Sequence, residues 1–200
     1  MRHWLAHPLV FYPLLAVIAA AFVFLSARPD LGAQPAAAAE AGRVENGAIV
    51  LEGAALAHPE VSADQVIYVV RDGLGRPLAL RLAVLPNQPP PGPAETEARF
   101  ALTPETAQRI ANRPVIVDVT VAPLPVTTAA GLAVSLQGAG PTQWATAPAS
   151  PEPQTLRYRL PAVAAPEAVG LRAISAYADY NYGFQIMRIR IAPAETPARD

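Results

Sequence analysis

Alternation with a period of two residues, punctuated by proline and glycine, most constrains what this chain can fold into. Proline fills 23 of its 200 positions, and the segments between prolines place apolar residues at every second position. One face of the segment VIVDVTVA carries Val115, Val117, Val119 and Val121. Short alternating segments with turn signals between them predict an antiparallel sandwich rather than a parallel α/β sheet.

The same pattern runs from about Arg43 to the end of the chain, so we predict one all-β domain there. Within TLRYRLP, for example, the apolar residues oppose Arg157 and Arg159. The candidate strands are Ala48–Glu52, Gln65–Arg71, Leu78–Leu85, Ala98–Leu102, Val115–Ala122, Leu132–Gln137, Thr155–Leu160, Gly170–Ser175 and Phe184–Ile191.

One helix interrupts the strands, in the segment LTPETAQRIANRP. Thr103 stands at the N-cap, Pro104 at the first helical position, and Glu105 beside the positive end of the helix dipole. Asn112 and Pro114 then end the helix. The residues expected to face the core are Ala107, Ile110 and Ala111.

Near the amino terminus, residues 8–27 read PLVFYPLLAVIAAAFVFLSA and carry no formal charge. This length is what one bilayer-spanning helix needs, so the sequence predicts a transmembrane anchor. The alternative is a cleavable signal peptide with Leu14–Leu25 as its apolar centre. Both interpretations export everything after residue 30. We therefore expect a single-pass protein of the bacterial inner membrane, with its carboxyl-terminal domain in the periplasm and the bilayer as one partner.

The remaining segments follow from this division. We expect a short cytoplasmic tail at residues 1–7, an alanine- and proline-containing linker at 28–42, the sandwich domain at 43–193 and a flexible tail at 194–200. Leu85–Glu95, LPNQPPPGPAE, is expected to form a stiff polyproline-like surface loop. The alternative is a ligand for a proline-binding partner.

Composition excludes several classes of function. The formal net charge of -1 gives no electrostatic footprint for nucleic acid. Cysteine is absent, which excludes disulfides, zinc–thiolate sites and cysteine nucleophiles. Lysine is absent too, and the arginine-only basic set is typical of a GC-rich bacterial genome. Because His3 and His7 precede the apolar segment, only His58 is available to the folded domain. We therefore predict a non-catalytic protein without a cofactor or metal, although hydrolysis by a carboxylate pair stays open.

The order of motifs after Arg99 resembles a known family. RFALTPETAQRIANRPVIVDVTV is followed by GLAVSLQGAGPTQW, QTLRYRLP, VGLRAIS and YGFQIMRIRIAP. This succession resembles the galactose-binding-like jelly roll of bacterial carbohydrate-binding modules, mainly over residues 99–193. The resemblance implies a jelly roll whose remaining strands come from Arg43–Leu85. Family members often hold a structural calcium with an acidic residue in the final strand, where this chain has Met187 and Arg188, so no calcium is expected.

A cluster of aromatic and polar residues lies in SAYADYNYGFQI, just before the last strand. Flat rings with a few hydrogen-bonding groups are typical of carbohydrate pockets. The alternative is a structured loop whose tyrosines cover the end of the sandwich. For Trp144, the last residue of GAGPTQW, the alternative is a cap on the hydrophobic core. The candidate ligand-binding residues are Tyr177, Asp179, Tyr180, Asn181, Tyr182 and Trp144.

Arginines on three neighbouring strands form a second candidate site. On one outward face they would make a basic patch able to meet anionic glycans, lipid head groups or an acidic partner. The alternative is a solvated sheet face that prevents edge-to-edge association. The residues are Arg157, Arg159, Arg172, Arg188 and Arg190.

The sequence thus supports two main functional hypotheses. The first is a membrane-anchored, non-catalytic periplasmic jelly roll that binds envelope carbohydrate. The second is an accessory or assembly subunit of a larger inner-membrane complex, with the anchor and the sandwich as contact surfaces. Small residues that could pack the anchor against a partner helix are Ala16, Ala19, Ala20 and Ala21.

Overall fold

The computed structural model describes residues 42–86, 97–175 and 179–194, together with Ala19 alone in the amino-terminal segment. The chain divides into two units, Met1–Ala37 and Ala38–Asp200, and every strand described below belongs to the second. Apart from Ala19, the candidate anchor at residues 8–27 lies outside the described residues. Among the residues that are described, no helix has the length and apolarity needed to cross a bilayer.

The described part is almost entirely antiparallel β-structure with one short α-helix. A 3-10 turn, Gly53–Leu56, follows the second strand, and the α-helix α1 spans Pro104–Ile110. The strands are β1 (Arg43–Glu45), β2 (Ala48–Glu52), β3 (Gln65–Arg71), β4 (Pro77–Val84), β5 (Ala98–Ala101), β6 (Val115–Pro123), β7 (Gly131–Gly138), β8 (Trp144–Pro148), β9 (Gln154–Leu160), β10 (Pro166–Ile174) and β11 (Tyr182–Pro193).

The long last strand organises the larger sheet, which has seven strands. On one side, the first half of β11 pairs with β4 and its second half pairs with β2. On the other side it pairs with β6 along nearly its whole length, with a register shift between Ile186 and Arg188. β3 then extends the sheet beyond β4, β1 beyond β2, and β9 beyond β6.

The smaller sheet has four strands in the order β5-β10-β7-β8. Its inner face packs against the larger sheet, so the described domain is a two-layer β-sandwich. The valine face predicted for β6 is confirmed: Val115, Val117 and Val119 are fully buried. Between the layers, the Tyr158 hydroxyl of β9 donates a hydrogen bond of 2.9 Å to the Leu132 carbonyl of β7. This bond ties the two sheets together inside the core.

Helix α1 begins as predicted, but its buried face includes Thr106, which was not predicted to face the core. The Thr103 side chain accepts a hydrogen bond from the Thr106 amide, and Glu105 lies in the first turn. Thr106 and Ile110 are the buried residues of the helix. The prediction that Ala107 and Ala111 face the core with Ile110 was therefore only partly right: both alanines are half-buried. The reason is that the Thr106 hydroxyl bonds to the Thr103 carbonyl, so a polar residue can be buried there.

The nine predicted strands are all present, and Ala48–Glu52 and Gln65–Arg71 match at both ends. Strands β1 and β8 were not predicted from the sequence. β1 has three residues, all exposed, and β8 is half-buried or exposed throughout. Neither presents an alternating apolar face long enough to recognise. β10 also starts four residues earlier than predicted, at Pro166, because its outer face is buried as well and the alternation disappears.

Candidate functional site

The outer face of the four-stranded sheet, away from the core, is polar and yet buried. The strand register pairs Arg99 with Gly170, Gly170 with Ser135, and Ser135 with Trp144, so these four residues form one row across the sheet. Ser135 is fully buried. Outer faces of antiparallel sheets usually meet water, so a buried polar row indicates a specialised surface.

Gly170 lies at the centre of this surface. A Cβ atom built on Gly170 would lie 2.5 Å from Ser135 Oγ, 2.6 Å from Gln137 Nε2 and 3.2 Å from Trp144 Cη2. Because Gly170 has no side chain, the Ser135 hydroxyl, the Gln137 amide and the Trp144 indole ring can all approach its backbone closely. We call these three side chains around Gly170 the Gly170 cradle.

Two polar groups of the Gly170 cradle are unsatisfied. Ser135 Oγ and Gln137 Nε2 are buried and have no hydrogen-bond partner among the residues that the structure describes. Leaving a buried donor or acceptor unpaired costs about 1–3 kcal/mol. Since nearly all buried polar groups in native proteins are paired, these two atoms require a partner other than the described residues, which an ordered water or a bound ligand can supply. Trp144 is half-buried beside them.

A buried ion cluster lies next to the Gly170 cradle. Arg172 follows Gly170 by two positions on β10, hence on the same face, and is 2% exposed. Its guanidinium lies 3.0 Å from Asp64 Oδ2 and also contacts the Glu97 carboxylate, whose side chain is fully buried. Such a cluster is costly to desolvate but holds its members in one geometry. It fixes the surface beside the cradle.

The opposite end of the row is charged and half-exposed. Arg99 lies 2.9 Å from a Glu60 carboxylate oxygen and 3.1 Å from one of Glu167. The backbones of Glu60 and Arg99 also exchange two hydrogen bonds, 2.9 and 2.7 Å long. The four-stranded sheet thus presents an indole ring at one side, hydrogen-bonding groups at the centre and fixed charges at the other.

The predicted tyrosine loop lies elsewhere. Tyr177 falls outside the described residues. Asp179, Tyr180 and Asn181 are exposed, Tyr180 to 63%. The Tyr182 hydroxyl donates a hydrogen bond of 3.0 Å to Asp179, while its ring packs against the core. Tyr182 therefore covers part of the core, as the alternative interpretation of the loop expects. Of the described tyrosines of the loop, Tyr180 has the more exposed ring.

The structure does not bring Trp144 and the tyrosine loop together. Trp144 pairs with Ser135, whereas the loop follows Ile174, which pairs with Gly131. Four residues of β7 separate these rows, or about 13 Å. Trp144 also lies on the outer face of its sheet, while Tyr182 belongs to the core side. The two parts of the predicted ligand site are therefore two separate places.

Four of the five predicted patch arginines share the outer face of the seven-stranded sheet, but three of these four form ion pairs with acidic residues. Arg157 and Arg190 both approach the Asp118 carboxylate, at 2.7 and 3.4 Å. The hydrogen bond and charge of Asp118 raise the pKa of Arg157. Arg188 is 3.0 Å from Glu45. Arg159 is exposed on β9.

Arg172 does not belong to this patch. It lies on the other sheet and is buried in the ion cluster described above. The prediction grouped Arg172 with the other arginines on the assumption that their strands were neighbours. The order of the strands, which decides which arginines meet, places β10 in the other sheet. Within the described residues, no group of three or more histidine, cysteine or acidic side chains could hold a metal ion. A shallow cleft of about 210 Å³ at the 139–143 and 161–164 loops has no ionisable lining residue.

The residues of the Gly170 cradle other than Trp144 were missed by the sequence analysis. Ser135 and Gln137 occupy alternate positions in GLAVSLQG, and the alternating residues Val134 and Leu136 lie in the core. That alternation was visible, but an exposed polar face is the ordinary interpretation of it. Only the neighbouring strands, which come from distant parts of the chain, show that this face is buried.

A scan against protein-family models finds no match for this chain, and a search of the curated proteins finds none either. Among solved structures, the chain is similar to the unliganded module CBM1 of BiXyn10A, at 12% identity and a TM-score of 0.43, over 68% of this chain and 89% of that one. It is also similar to the CBM22-1–CBM22-2 tandem domain of Xyn10C from Paenibacillus barcinonensis, at 15% identity and a TM-score of 0.43, over 81% and 49%.

A third similar structure is the CBM22-1–GH10 part of xylanase 10B from Clostridium thermocellum in complex with xylohexaose, at 13% identity and a TM-score of 0.40. The alignment covers 70% of this chain and 26% of that one, so the chain spans about half of the second structure and a quarter of the third. The resemblance to carbohydrate-binding modules is confirmed as a distant one. Because these TM-scores lie below 0.5, the functional conclusions rest on the geometry of this chain.

Proposed function

We propose that this chain is a non-catalytic glycan-binding β-sandwich of jelly-roll type whose binding site is the Gly170 cradle. One observation carries the proposal: Ser135 Oγ and Gln137 Nε2 are buried and unpartnered beside the ring of Trp144. A sugar ring offers an apolar face that packs on an indole and hydroxyls that both donate and accept hydrogen bonds. A glycan therefore satisfies both polar atoms and uses the aromatic ring.

Binding at this site requires a side-chain movement. Ser135 is fully buried, and the Trp144 ring edge lies close above Gly170. A ligand reaches the hydroxyl and the amide when the indole rotates outward and then closes on the sugar. Rotamer changes of this kind are common on binding and need no backbone rearrangement.

The proposal includes tethering at the bacterial inner membrane, with the sandwich on the periplasmic side. Its support is the uncharged apolar stretch at residues 8–27 in the sequence. Reporter fusions after residue 42 and at the carboxyl terminus test it: a periplasmic reporter active in the membrane fraction at both points is expected. A reporter that is active only in the cytoplasm contradicts this topology.

Glycan binding is tested with the full chain in mild detergent. Isothermal titration with xylohexaose, a cello-oligosaccharide and peptidoglycan fragments would identify a bound probe. Trp144→Ala is expected to weaken binding of that probe about tenfold or more, because truncating a central aromatic contact typically costs more than 1 kcal/mol. The matched control is Tyr180→Ala, which removes an exposed ring from the other candidate site and is expected to leave affinity within twofold.

The two variants discriminate between the sites. Loss of binding in Tyr180→Ala with retention in Trp144→Ala would transfer the site to the tyrosine loop. Retention in both variants, with an unchanged thermal melt, would contradict binding at either place.

A further inference from the structure

β3 forms an outer edge of the seven-stranded sheet, and among the described strands it pairs only with β4. Its sequence, QVIYVVR, places five apolar residues between Gln65 and Arg71. None of the five is fully buried: Val66 is 41% and Tyr68 65% exposed, and the other three are half-buried. Both faces of this strand therefore leave apolar surface uncovered.

The other described edges are protected. β9 carries the exposed Arg157 and Arg159 on its outer face. The β5 edge is covered where the backbones of Glu60 and Arg99 hydrogen-bond. β8 ends in Pro148, and β1 is only three residues long. Charges, proline, shortness and a covering segment are the devices by which sheets avoid unwanted pairing. β3 has none of them between its terminal residues.

The strand is also complementary to itself. Antiparallel pairing of two β3 strands centred on Tyr68 places Val66 opposite Val70, Ile67 opposite Val69, and Gln65 opposite Arg71. All seven residues then have a partner on the same face: the five apolar residues meet apolar partners, and the polar Gln65 meets the polar Arg71. Moving the centre by one residue along the strand, to Val69, places Arg71 opposite Ile67. Unlike that register, the one centred on Tyr68 matches both the length and the polarity of the strand.

The charged residues that flank β3, Asp64 and Asp72, are compatible with the register centred on Tyr68. This register sets Asp64 of one copy near Asp72 of the other, but each carboxylate already forms an ion pair with an arginine of its own chain. Asp64 is 3.0 Å from Arg172, and Asp72 is 2.7 Å from Arg76. Backbone and side-chain hydrogen bonds from Arg76 also lower the pKa of Asp72, which keeps that ion pair intact in mild acid.

We propose that β3 is a homodimerisation edge, where two copies of this chain pair antiparallel about a two-fold axis at Tyr68. Such an isologous contact uses one edge of each copy and closes on itself. Each seven-residue strand is roughly 23 Å long. The surface area buried by one such strand pair is therefore small for a specific protein–protein interface. Dimerisation is therefore concentration-dependent, and it is independent of the Gly170 cradle on the other sheet.

Cysteine cross-linking tests the register directly, because the chain contains no cysteine of its own. Residues directly opposite in an antiparallel pair have Cα atoms about 4.5–5.5 Å apart, within disulfide range. Full-length Tyr68→Cys in detergent, treated with a mild oxidant, is expected to give a disulfide-linked dimer on a non-reducing gel.

The control variants keep Tyr68 and place the cysteine at position 66 or position 70 instead. In the proposed register, position 66 of one copy lies about 13 Å from position 66 of the other, beyond disulfide range. Val66→Cys alone and Val70→Cys alone should stay monomeric on the gel, while a mixture of the two should cross-link. Equal cross-linking in every sample would indicate random collision and overturn the proposal, as would no cross-linking in Tyr68→Cys and in the mixture.

A second measurement needs no cysteine. Sedimentation of the full chain should show a monomer–dimer equilibrium that Tyr68→Lys shifts toward monomer by at least tenfold in dissociation constant, since a charge at the centre of an edge opposes pairing. Tyr180→Lys, at an exposed tyrosine away from β3, should leave the equilibrium unchanged. A wild-type chain that sediments as a monomer at all accessible concentrations would overturn the dimer.

Discussion

At the scale of single residues, the candidate site depends on a side chain that is absent. Gly170 lets Ser135, Gln137 and Trp144 approach the same stretch of backbone. Its backbone φ is not positive, so close approach rather than backbone conformation requires the glycine.

Gly170→Ala is expected to close the Gly170 cradle. The new methyl group would lie 2.5 Å from Ser135 Oγ, so the serine and glutamine side chains must move. Overpacking of this kind costs about 1–3 kcal/mol, and glycan binding should be lost. Chemical denaturation and titration with the probe found for the wild type measure both effects. Gly73→Ala is the control, since a Cβ there meets nothing within 4 Å; equal losses in both variants would contradict a specific role for Gly170.

The burial of Tyr158 leads to a prediction of how the free energy of unfolding changes at alkaline pH. Burial raises the pKa of its phenol above the usual value of about 10. An unfolded tyrosine therefore loses its proton at lower pH than Tyr158 does in the fold, so stability is full below about pH 10 and falls as the pH rises further.

Tyr158→Phe isolates this effect. It removes the hydrogen bond to the Leu132 carbonyl and should cost about 0.5–1.5 kcal/mol at neutral pH. It should also make the fall in unfolding free energy above pH 10 shallower. Urea denaturation at several pH values measures both, and a slope equal to that of the wild type would contradict the assigned role.

At the scale of elements, alternation predicted nine strands, but it missed β1 and β8, which have no buried apolar face, and it placed the start of the doubly covered β10 four residues too late. The valines of β6 and the arginines of β9 mark their faces unambiguously, and both strands were predicted almost to their ends. Helix α1 was predicted from its cap and first-turn proline, which are local signals.

The candidate site shows the limit of the same reasoning. β7 and β10 are buried on both faces, so Ser135 and Arg172 could not be distinguished from solvent-facing residues by sequence pattern. Trp144 was selected for its chemistry, but its neighbours come from β7 and β10, up to 26 residues away along the chain (170 minus 144). Contacts between distant strands depend on sheet order, which local periodicity does not encode.

The ion cluster connects elements as well as charges. Arg172 joins β10 to Glu97, just before β5, and to Asp64, just before β3. Glu97→Gln keeps the shape of the side chain but leaves a buried guanidinium with one carboxylate less. We expect a loss of about 3–5 kcal/mol in unfolding free energy, measured by denaturant titration.

Glu167→Gln is the matched control, because Glu167 pairs with the half-exposed Arg99 on the same sheet and its own side chain is 62% exposed. Exposed pairs contribute only about 0–1 kcal/mol. Similar losses of unfolding free energy in the two variants would mean that the buried cluster does not hold the four-stranded sheet to the segment before β3 that carries Asp64.

At the scale of the whole molecule, the two sheets have different surfaces. The seven-stranded sheet carries an outer face of arginine–carboxylate pairs and ends in the apolar β3 edge, while the four-stranded sheet carries the Gly170 cradle. The proposed self-association and the proposed ligand binding therefore use separate sheets, and a β3-paired dimer would present two cradles to a polymeric glycan. Two linked sites raise avidity without any new contact, provided both can engage one polymer.

The most direct test of glycan binding at the Gly170 cradle is the fluorescence of Trp144. The chain has two tryptophans, Trp4 and Trp144, so Trp4→Phe leaves Trp144 as the sole indole reporter. Titrating full-length Trp4→Phe with the glycan that binds in calorimetry should shift and quench its emission, saturating with the calorimetric dissociation constant. Unchanged emission at glycan concentrations that saturate the protein would contradict binding at the cradle.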